Sequence, residues 1–273
     1  MPTGIPRTAA KIATLVSYPV KGCAGMPARS FPLTEAGLAH DRTFMVVDDD
    51  GAFRTQRRWP RLARIQPVIS GDRLELSAPG AGSIGVDVDV TGPRRDVRLF
   101  NTGYRGIDQG DAVAEWLSEL LGARSRLVRV PPEHDRVTDG EIPGTSGYAD
   151  SSAVHVLSRS SLDRLDERAP RPVPVDRFRP NIVIEGWSEP HTEDRAGRIT
   201  IGDAVLGFTK LAIRCAVTTV DQEAGLRDGP EPLRTLAGYR RIPDQGIAFG
   251  AKFAVLRTGT LAVGDPITVD TWR

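Results

Sequence analysis

Residues 204–220 read Ala204-Val-Leu-Gly-Phe-Thr-Lys-Leu-Ala-Ile-Arg-Cys-Ala-Val-Thr-Thr-Val220, and this stretch decides the fold class. Its density of apolar and β-branched residues predicts two strands, residues 204–211 and 216–220, on either side of Cys215. Similar short strands recur along the chain between turns rich in its 28 glycines and 21 prolines. The sequence therefore predicts a mixed α+β, β-rich, barrel-like protein with a few peripheral helices.

The helices are predicted at three places. Residues 111–122 repeat apolar side chains at three- and four-residue intervals and end on Gly122, a suitable stop. Serines and early acidic residues favour a second helix over residues 158–168, and residues 231–239 are the third candidate. Residues 63–70, in contrast, predict a strand.

The overall composition excludes several classes of partner. The chain is 40% hydrophobic and 26% charged, which is typical of a globular protein with a full core. Its formal net charge of +1 gives no global field for nucleic acid or an anionic membrane. We find neither a leader in residues 1–10 nor a run of about 20 apolar residues. We therefore expect no nucleic-acid partner, no membrane association and a cytoplasmic location.

Cys215 is the strongest candidate for chemistry. A thiolate binds soft metals or attacks electrophiles, and the preceding Arg214 can stabilise it unless strand geometry points the two side chains apart. A buried structural cysteine is the alternative. Cys23 has no partner at a metal-ligand spacing, and we interpret it as structural. Two distant cysteines suit a reducing compartment.

Four blocks of sequence match one protein family in order and spacing over nearly the whole chain: Tyr18-Pro-Val-Lys-Gly-Cys-Ala-Gly25 with Gly37-Leu-Ala-His-Asp-Arg-Thr-Phe-Met-Val-Val47; Phe178-Arg-Pro-Asn-Ile-Val-Ile184; Arg214-Cys-Ala-Val-Thr-Thr-Val-Asp221; and Phe249-Gly250 with Val263-Gly-Asp-Pro266. In these blocks the sequence resembles the MOSC proteins, which bind molybdenum cofactor, in the two-part form with an N-terminal β-barrel region. The resemblance implies a MOSC β-barrel core at residues 126–273 and an N-terminal β-barrel-like region at residues 1–125, with halves that can interleave.

The resemblance also implies how molybdenum cofactor (molybdopterin) is held. Cys215 matches the metal-ligating cysteine of the family. Lys21, Gly22 and Arg42 match positions associated with the cofactor phosphate, where cations and backbone amides suit a dianion. Some relatives carry serine in place of Gly22, so only backbone donation remains there. Two solvated surface cations are the alternative for Lys21 and Arg42.

A second group of residues is expected nearer the pterin and the metal. Arg179 and Asn181 lie two apart, share a face in an extended chain and resemble the pterin-contacting pair. A carboxylate-paired arginine and a turn-capping asparagine are the alternative. Asp150, Ser151 and Ser152 match a segment that lies near the metal, where a carboxylate of elevated pKa would relay protons. The same three residues also suit an ordinary turn or cap.

Two departures from the family pattern bear on specificity. Lys252 occupies a position that is aromatic in a close relative, and this change points to altered specificity. Ile213 replaces a serine two residues before the cysteine and removes a possible hydrogen bond near the sulfur. The four histidines show no zinc-type spacing, and His155 fits a buried sheet position. The basic run at residues 56–61 fits a surface or partner-facing segment.

The function implied is reduction of N-hydroxylated compounds, such as amidoximes and hydroxylamines, by a molybdenum-dependent oxidoreductase. The chain has no cysteine cluster for an iron–sulfur centre, so we expect an external donor: a ferredoxin, a flavoprotein or a cytochrome-like protein. A cofactor or sulfur carrier without reductase turnover is the alternative. A cysteine-dependent hydrolase is a third reading, opposed by the lack of a histidine in a supporting motif.

Overall fold

The computed structural model describes residues 9–273, so the expectation that no leader is present lies, for residues 1–8, outside the described part. The first hundred residues form short strands: Lys11–Ser17 (β1), Val20–Lys21 (β2), Met26–Pro27 (β3), Ser30–Thr34 (β4), Gly37–Leu38 (β5), Phe44–Val47 (β6), Gln66–Ser70 (β7), Arg73–Ala78 (β8), Gly82–Asp87 (β9), Arg94–Leu99 (β10) and Thr102–Asp108 (β11).

The rest of the described chain adds three short α-helices and longer strands: Asp111–Leu121 (α1), Arg126–Arg129 (β12), Val137–Thr138 (β13), Gly144–Thr145 (β14), Val154–Ser158 (β15), Arg159–Asp166 (α2), Ile182–Glu185 (β16), Ala196–Ile201 (β17), Ala204–Arg214 (β18), Val220–Asp221 (β19), Leu226–Arg227 (β20), Leu233–Ala237 (α3), Arg241–Ile242 (β21), Gly246–Arg257 (β22), Gly259–Ala262 (β23) and Ile267–Trp272 (β24). The predicted β-rich α+β fold is confirmed. No helix in the described part combines the length and hydropathy needed to cross a membrane.

The main sheet curls back on itself. Its strands follow the order β24-β17-β18-β22-β15-β16-β1-β3, with β21 paired to β22. The start of β1 also bonds to the segment before β24, where Ile12 N donates to Asp265 O at 3.0 Å and Gly264 N to Ile12 O at 2.8 Å. These contacts bring the two ends of the sheet together without a full closing ladder. The core inside contains Leu15, Val156 and Phe253, all fully buried.

A second sheet, in the order β10-β11-β12-β6-β2, forms the other layer. Helix α1 packs its Val113 and Leu117 into the core of this layer, together with Phe44 on β6. Strand β12 pairs with β6, whereas β1 pairs with β16 in the main sheet. The chain therefore passes between the two layers more than once, and the division at residue 125 stays a prediction.

Two predicted strands are wrong in part. Residues 216–219 form a 3₁₀ helix, because Thr218 Oγ1 donates to Cys215 O at 3.0 Å and Thr219 Oγ1 to Ala216 O at 2.8 Å. Residues 60–64 form another 3₁₀ helix before β7, with Pro60 at its first position. Local hydroxyl and proline effects outweigh strand propensity in both places.

The helix predictions agree with the structure. Helix α1 ends at Gly122, which adopts the left-handed conformation with φ of 68°. Helix α2 begins after Ser158, whose side chain accepts a hydrogen bond from Ser161 N. Helix α3 occupies only the centre of the predicted range.

Candidate functional site

One cavity of about 290 Å³ collects every residue predicted for the site. Its wall combines residues of the second sheet, from β2, with residues of the main sheet, from the end of β18 and the middle of β22. The predicted residues on its wall are Lys21, Gly22, Arg42, Asp150, Ser151, Ser152, Arg179, Asn181 and Cys215. The structure brings together segments that are far apart in the sequence, while the roles of these residues remain predictions.

The cavity is strongly cationic, although the chain as a whole is nearly neutral. One acidic residue, Asp150, faces eight basic ones. The basic residues are Lys21, Arg42, Arg54, Arg57, Arg179, Lys210, Arg214 and Lys252. A cavity with this charge concentrates anions locally, which the net charge of +1 does not indicate.

Cys215 lies at the end of β18, where the strand turns into the 3₁₀ helix. Its side chain is half-buried and lines the cavity, and the thiol is free. Cys23 is fully buried in the core, where desolvation raises the pKa of its thiol to about 12. The structural interpretation of Cys23 is confirmed, whereas Cys215 is placed where a ligand can reach it.

Arg214 lies beside Cys215 and is tied to a different element. Its Nη2 donates to Phe178 O at 2.9 Å. Burial lowers the pKa of Arg214 to about 10, and the neighbouring Cys215 acts in the opposite direction. Arg214 therefore contributes positive charge to the same wall as the thiol while its fork is held by the backbone.

Lys21 is buried at the end of β2 and forms an ion pair with Asp150. Its Nζ also donates to Tyr148 O at 2.8 Å and lies 5.3 Å from the Phe53 ring centroid. Burial lowers the pKa of Lys21, and the charge of Asp150 offsets part of that effect. Lys21 is thus a fixed cation on the wall, not a solvated surface lysine.

Asp150 differs from the expectation for a proton relay with an elevated pKa. Desolvation raises the pKa of its carboxyl, but the charge and hydrogen bond of Lys21 outweigh this, and the pKa lies below its usual value. The carboxyl is therefore ionised at neutral pH and has no proton to donate. The expected elevation of its pKa is wrong because the sequence did not reveal Lys21 as its partner.

Arg42 is held by a buried network. Its Nη1 donates to both carboxylate oxygens of Asp41 at 2.9 and 2.7 Å and to Asn181 Oδ1 at 3.1 Å. Its guanidinium also lies 4.3 Å from the Tyr18 ring centroid. Asp41 was not singled out in the sequence, yet its buried carboxylate fixes the arginine fork at the cavity wall.

The side-chain amide of Asn181 is held entirely by hydrogen bonds within the protein, and its predicted pterin contact stays a prediction. Its Nδ2 donates to Val16 O at 3.1 Å and to Asp41 Oδ1 at 2.8 Å, and its Oδ1 accepts from His155 N at 3.0 Å and from Arg42. A side-chain amide has two donors and two acceptor positions, and all four are used. We therefore interpret Asn181 as a positioning residue for Arg42.

Arg179 is buried and adopts φ of 56°, in the left-handed region that disfavours most residues. Its guanidinium stacks 4.3 Å from the Tyr18 ring centroid, on a ring that Arg42 shares. Its backbone carbonyl accepts from Arg42 Nη2 at 3.2 Å. This strained conformation holds two arginines against one tyrosine at the cavity wall, although like charges repel.

Gln56 begins the basic run at residues 56–61 that is predicted to lie at the surface, but its side chain is buried. Its Nε2 donates to Gly22 O at 2.6 Å and to Gln222 Oε1 at 3.0 Å. Gly22 has φ of 82° and forms the predicted turn. Gln56 therefore connects the Gly22 turn to the segment that follows Cys215, whereas Arg57 and Arg58 are exposed.

Several polar atoms on the wall have no hydrogen-bond partner within the described residues. They are Ser152 Oγ, His155 Nε2, Arg179 Nη2 and Arg214 Nε. Buried polar groups are normally satisfied, so such atoms mark a site that a polar ligand can complete. The free thiol, the excess of cations and these donors together fit a metal-bearing, phosphate-bearing cofactor.

The hydrolase interpretation gains little from the structure. His155 lines the same cavity, but burial lowers its pKa well below the ordinary value and it forms no hydrogen bond to Cys215 in residues 9–273. A base that activates a nucleophile needs to lie within hydrogen-bond reach. The arrangement resembles a binding cavity more than a catalytic cysteine–histidine pair.

Family models match both halves of the chain. The MOSC N-terminal beta barrel domain matches residues 9–124, and the MOSC domain matches residues 143–268. The chain therefore belongs to the MOSC family, in the form that has both domains.

Individual members of the family show which MOSC proteins this chain is similar to. The chain is 34% identical to the mitochondrial amidoxime reducing component 2 of Rattus norvegicus over 92% of this chain and 80% of that protein. It is 33% identical to the mitochondrial amidoxime-reducing component 1 of Homo sapiens over 94% of this chain and 82% of that protein. It is also 32% identical to the molybdenum cofactor sulfurase of Drosophila grimshawi over 95% of this chain but only 34% of that protein.

Proposed function

We propose that this protein is a molybdenum-cofactor-dependent oxidoreductase that reduces N-hydroxylated compounds such as amidoximes and hydroxylamines. The observation that carries the proposal is the half-buried thiol of Cys215 on the wall of a cavity that also contains Lys21 and Arg42. A soft ligand and a group of fixed cations are the two features that a metal dithiolene with a terminal phosphate requires. The names of the mitochondrial relatives support the reaction class.

In this proposal Cys215 ligates the metal, and Lys21, Arg42 and the Gly22 turn hold the phosphate. Arg179 and the hydroxyl of Ser152 face the pterin, where their unpartnered atoms acquire acceptors. Ser151 lies in the same loop as Ser152. Its backbone oxygen accepts a hydrogen bond from Ser146 Oγ at 2.8 Å, which fixes the loop. When bound, the cofactor supplies the two-electron redox chemistry.

Reduction of an N-hydroxylated compound removes the hydroxyl oxygen as water and consumes two electrons and two protons. The protons come from solvent, and the ionised Asp150 at the cavity mouth orders Lys21 beside the site. Electrons come from an external protein, either a ferredoxin, a flavoprotein or a cytochrome-like donor. Because both cysteines are free, the proposal places the protein in a reducing compartment, the cytoplasm.

The direct test uses protein purified from a molybdate-supplied host. Benzamidoxime and an artificial one-electron donor are added, and the formation of benzamidine is followed by chromatography. We expect turnover that depends on the molybdenum content of the preparation. Protein that contains no molybdenum and still reduces benzamidoxime would refute the proposal, as would a fully loaded protein that never does.

A cofactor or sulfur carrier without turnover is a second candidate, which the match to the molybdenum cofactor sulfurase favours. In that case Cys215 carries a persulfide or holds cofactor for delivery. Intact-protein mass spectrometry distinguishes the two. A mass increment of one sulfur atom on Cys215 that a reductant removes, in protein without pterin, supports the carrier function. If cofactor-loaded, active protein lacks this increment, the carrier function is excluded.

A further inference from the structure

Lys252 lines the cavity, and the proposed function assigns no role to it. It lies on β22, directly opposite His155 on β15 and Lys210 on β18. Directly paired residues of neighbouring strands point to the same face of a sheet, and all three side chains line the cavity. Lys252 therefore projects into the cavity from the main sheet.

The other two lysines of the cavity have carboxylate partners. Lys21 pairs with Asp150, and Lys210 Nζ lies 2.6 Å from Asp139 Oδ1. Lys252 has neither a hydrogen-bond acceptor nor an ion-pair partner among residues 9–273. Two like charges directly opposite each other on one sheet face are destabilising, and no protein carboxylate neutralises Lys252 at close range.

The electrostatic environment makes this arrangement costly for a charged amine. Burial, followed by the charges of Arg42 and Arg214, lowers the pKa of Lys252 to about 7, against which Asp150 and Asp41 act only partly. The neighbouring His155 is neutral, because burial lowers its pKa well below the ordinary value. A ligand anion at Nζ would relieve this cost, and none of the protein groups does so.

The position of Lys252 favours the substrate as the source of that anion. Its cross-strand neighbour Lys210 reaches the exposed Asp139, so this face of the sheet opens toward solvent. The phosphate is assigned to Lys21 and Arg42, which the proposed function already uses. An amine at the open side of the cavity is placed to meet a group carried on the incoming molecule.

We propose that Lys252 makes this protein selective for N-hydroxylated substrates that carry a carboxylate, by pairing its amine with that group. The inference rests on the proposed reductase function and names its substrate class. Lys252 acts as a specificity residue and does not itself take part in the reduction. A single charge-assisted contact in a partly buried site is sufficient for strong discrimination.

The test compares benzamidoxime with 4-carboxybenzamidoxime. For the wild-type protein we expect a higher kcat/KM for the carboxylated compound, through a lower KM. In Lys252→Met the ratio of the two kcat/KM values should fall about tenfold or more, and Lys252→Arg should restore part of it. The matched control is Lys210→Met, whose lysine is already paired with Asp139, and its ratio should change less than twofold.

A binding measurement separates this inference from the proposed function. Calorimetry with 4-carboxybenzamide and benzamide, which are not reduced, should show tighter binding of the carboxylate in the wild type and a loss of that preference in Lys252→Met. Because the amine is only partly protonated near pH 7, binding of the anion should take up protons and weaken as the pH rises above 7.

Three results would overturn the inference. The first is equal binding of both amides by the wild-type protein. The second is an equal fall in kcat/KM for both amidoximes in Lys252→Met. The third is a loss of molybdenum and pterin from Lys252→Met, which would assign the amine to the cofactor phosphate. If loaded protein reduces neither amidoxime while the calorimetric preference persists, the proposed function fails and the anion site at Lys252 stands.

Discussion

At the scale of single residues, the site depends on how cations are held in place. Lys21 and Arg42 are both immobilised by carboxylates, one at the cavity mouth and the other in the core. Asp150 stays an ionised partner of Lys21 and is not a proton store. A cavity assembled in this way presents fixed positive charge at little cost on ligand binding, because the side chains are already ordered.

Asp150→Asn tests the role of the carboxylate at the cavity mouth. We expect kcat/KM for benzamidoxime to fall roughly tenfold, because Lys21 loses the carboxylate that orders it beside the site. The pKa of Asp150 is lowered, so the wild-type kcat/KM should show no Asp150 ionisation between pH 5 and pH 9. The exposed Asp139→Asn, which removes the partner of Lys210, is the control. An acid limb between pH 5 and pH 7 that disappears in Asp150→Asn would contradict this account.

At the scale of elements, the turn between β18 and the 3₁₀ helix builds the Cys215 side of the cavity, together with Lys252 in the middle of β22. Within β22, Gly250 has φ of 81°, and a Cβ there would lie 2.5 Å from His155 Nε2 and 2.8 Å from Val156 O. Only glycine allows β22 to pass this close to β15. The close approach brings Lys252 and His155 onto the same cavity wall.

Gly250→Ala should destabilise the protein by roughly 2–5 kcal/mol, because it combines a left-handed backbone with a steric clash. Gly202→Ala is the control, since Gly202 also has positive φ, at 55°, but open space around it, and should cost about 1 kcal/mol. Urea unfolding measures both free energies. An equal decrease in the free energy of unfolding in the two variants would show that the close contact with β15 does not contribute to the destabilisation.

The sequence predicts the local features of this molecule better than the long-range ones. Helix α1 and its Gly122 stop follow from spacing and residue type, which act locally. The Lys21–Asp150 pair and the Gln56–Gln222 link join segments 129 and 166 residues apart, and no spacing rule reveals them. Residue type alone indicates Cys215, and the family resemblance indicates the other candidate residues, whereas the saturated hydrogen bonding of Asn181 and the low pKa of Asp150 needed coordinates.

At the scale of the whole molecule, the two layers exchange strands. Strand β1 precedes the N-terminal layer but completes the main sheet, and β12 follows that layer in sequence yet pairs with β6. The Gln56–Gln222 hydrogen bonds cross between the layers beside the cavity. Unfolding of either layer therefore breaks the Gln56–Gln222 hydrogen bonds, and no single cut in the sequence separates the two layers.

We predict a single cooperative thermal transition. Differential scanning calorimetry should give one peak, with a calorimetric enthalpy close to the van 't Hoff enthalpy. Cofactor-loaded protein should unfold at a higher temperature than unloaded protein, again in one step, because the ligand binds only the folded state. Two resolved peaks, of which only one shifts with cofactor content, would mean that the layers are independent units.

The molybdenum content of matched cysteine variants tests most directly whether Cys215 is the metal ligand. Wild type, Cys215→Ala and Cys23→Ala are produced in the same molybdate-supplied host, checked for folding by thermal unfolding, and analysed for metal by mass spectrometry. We expect wild type and Cys23→Ala to carry comparable molybdenum and Cys215→Ala to retain less than a tenth of it. Molybdenum in Cys215→Ala at the wild-type level would contradict the assignment of this thiol as the metal ligand.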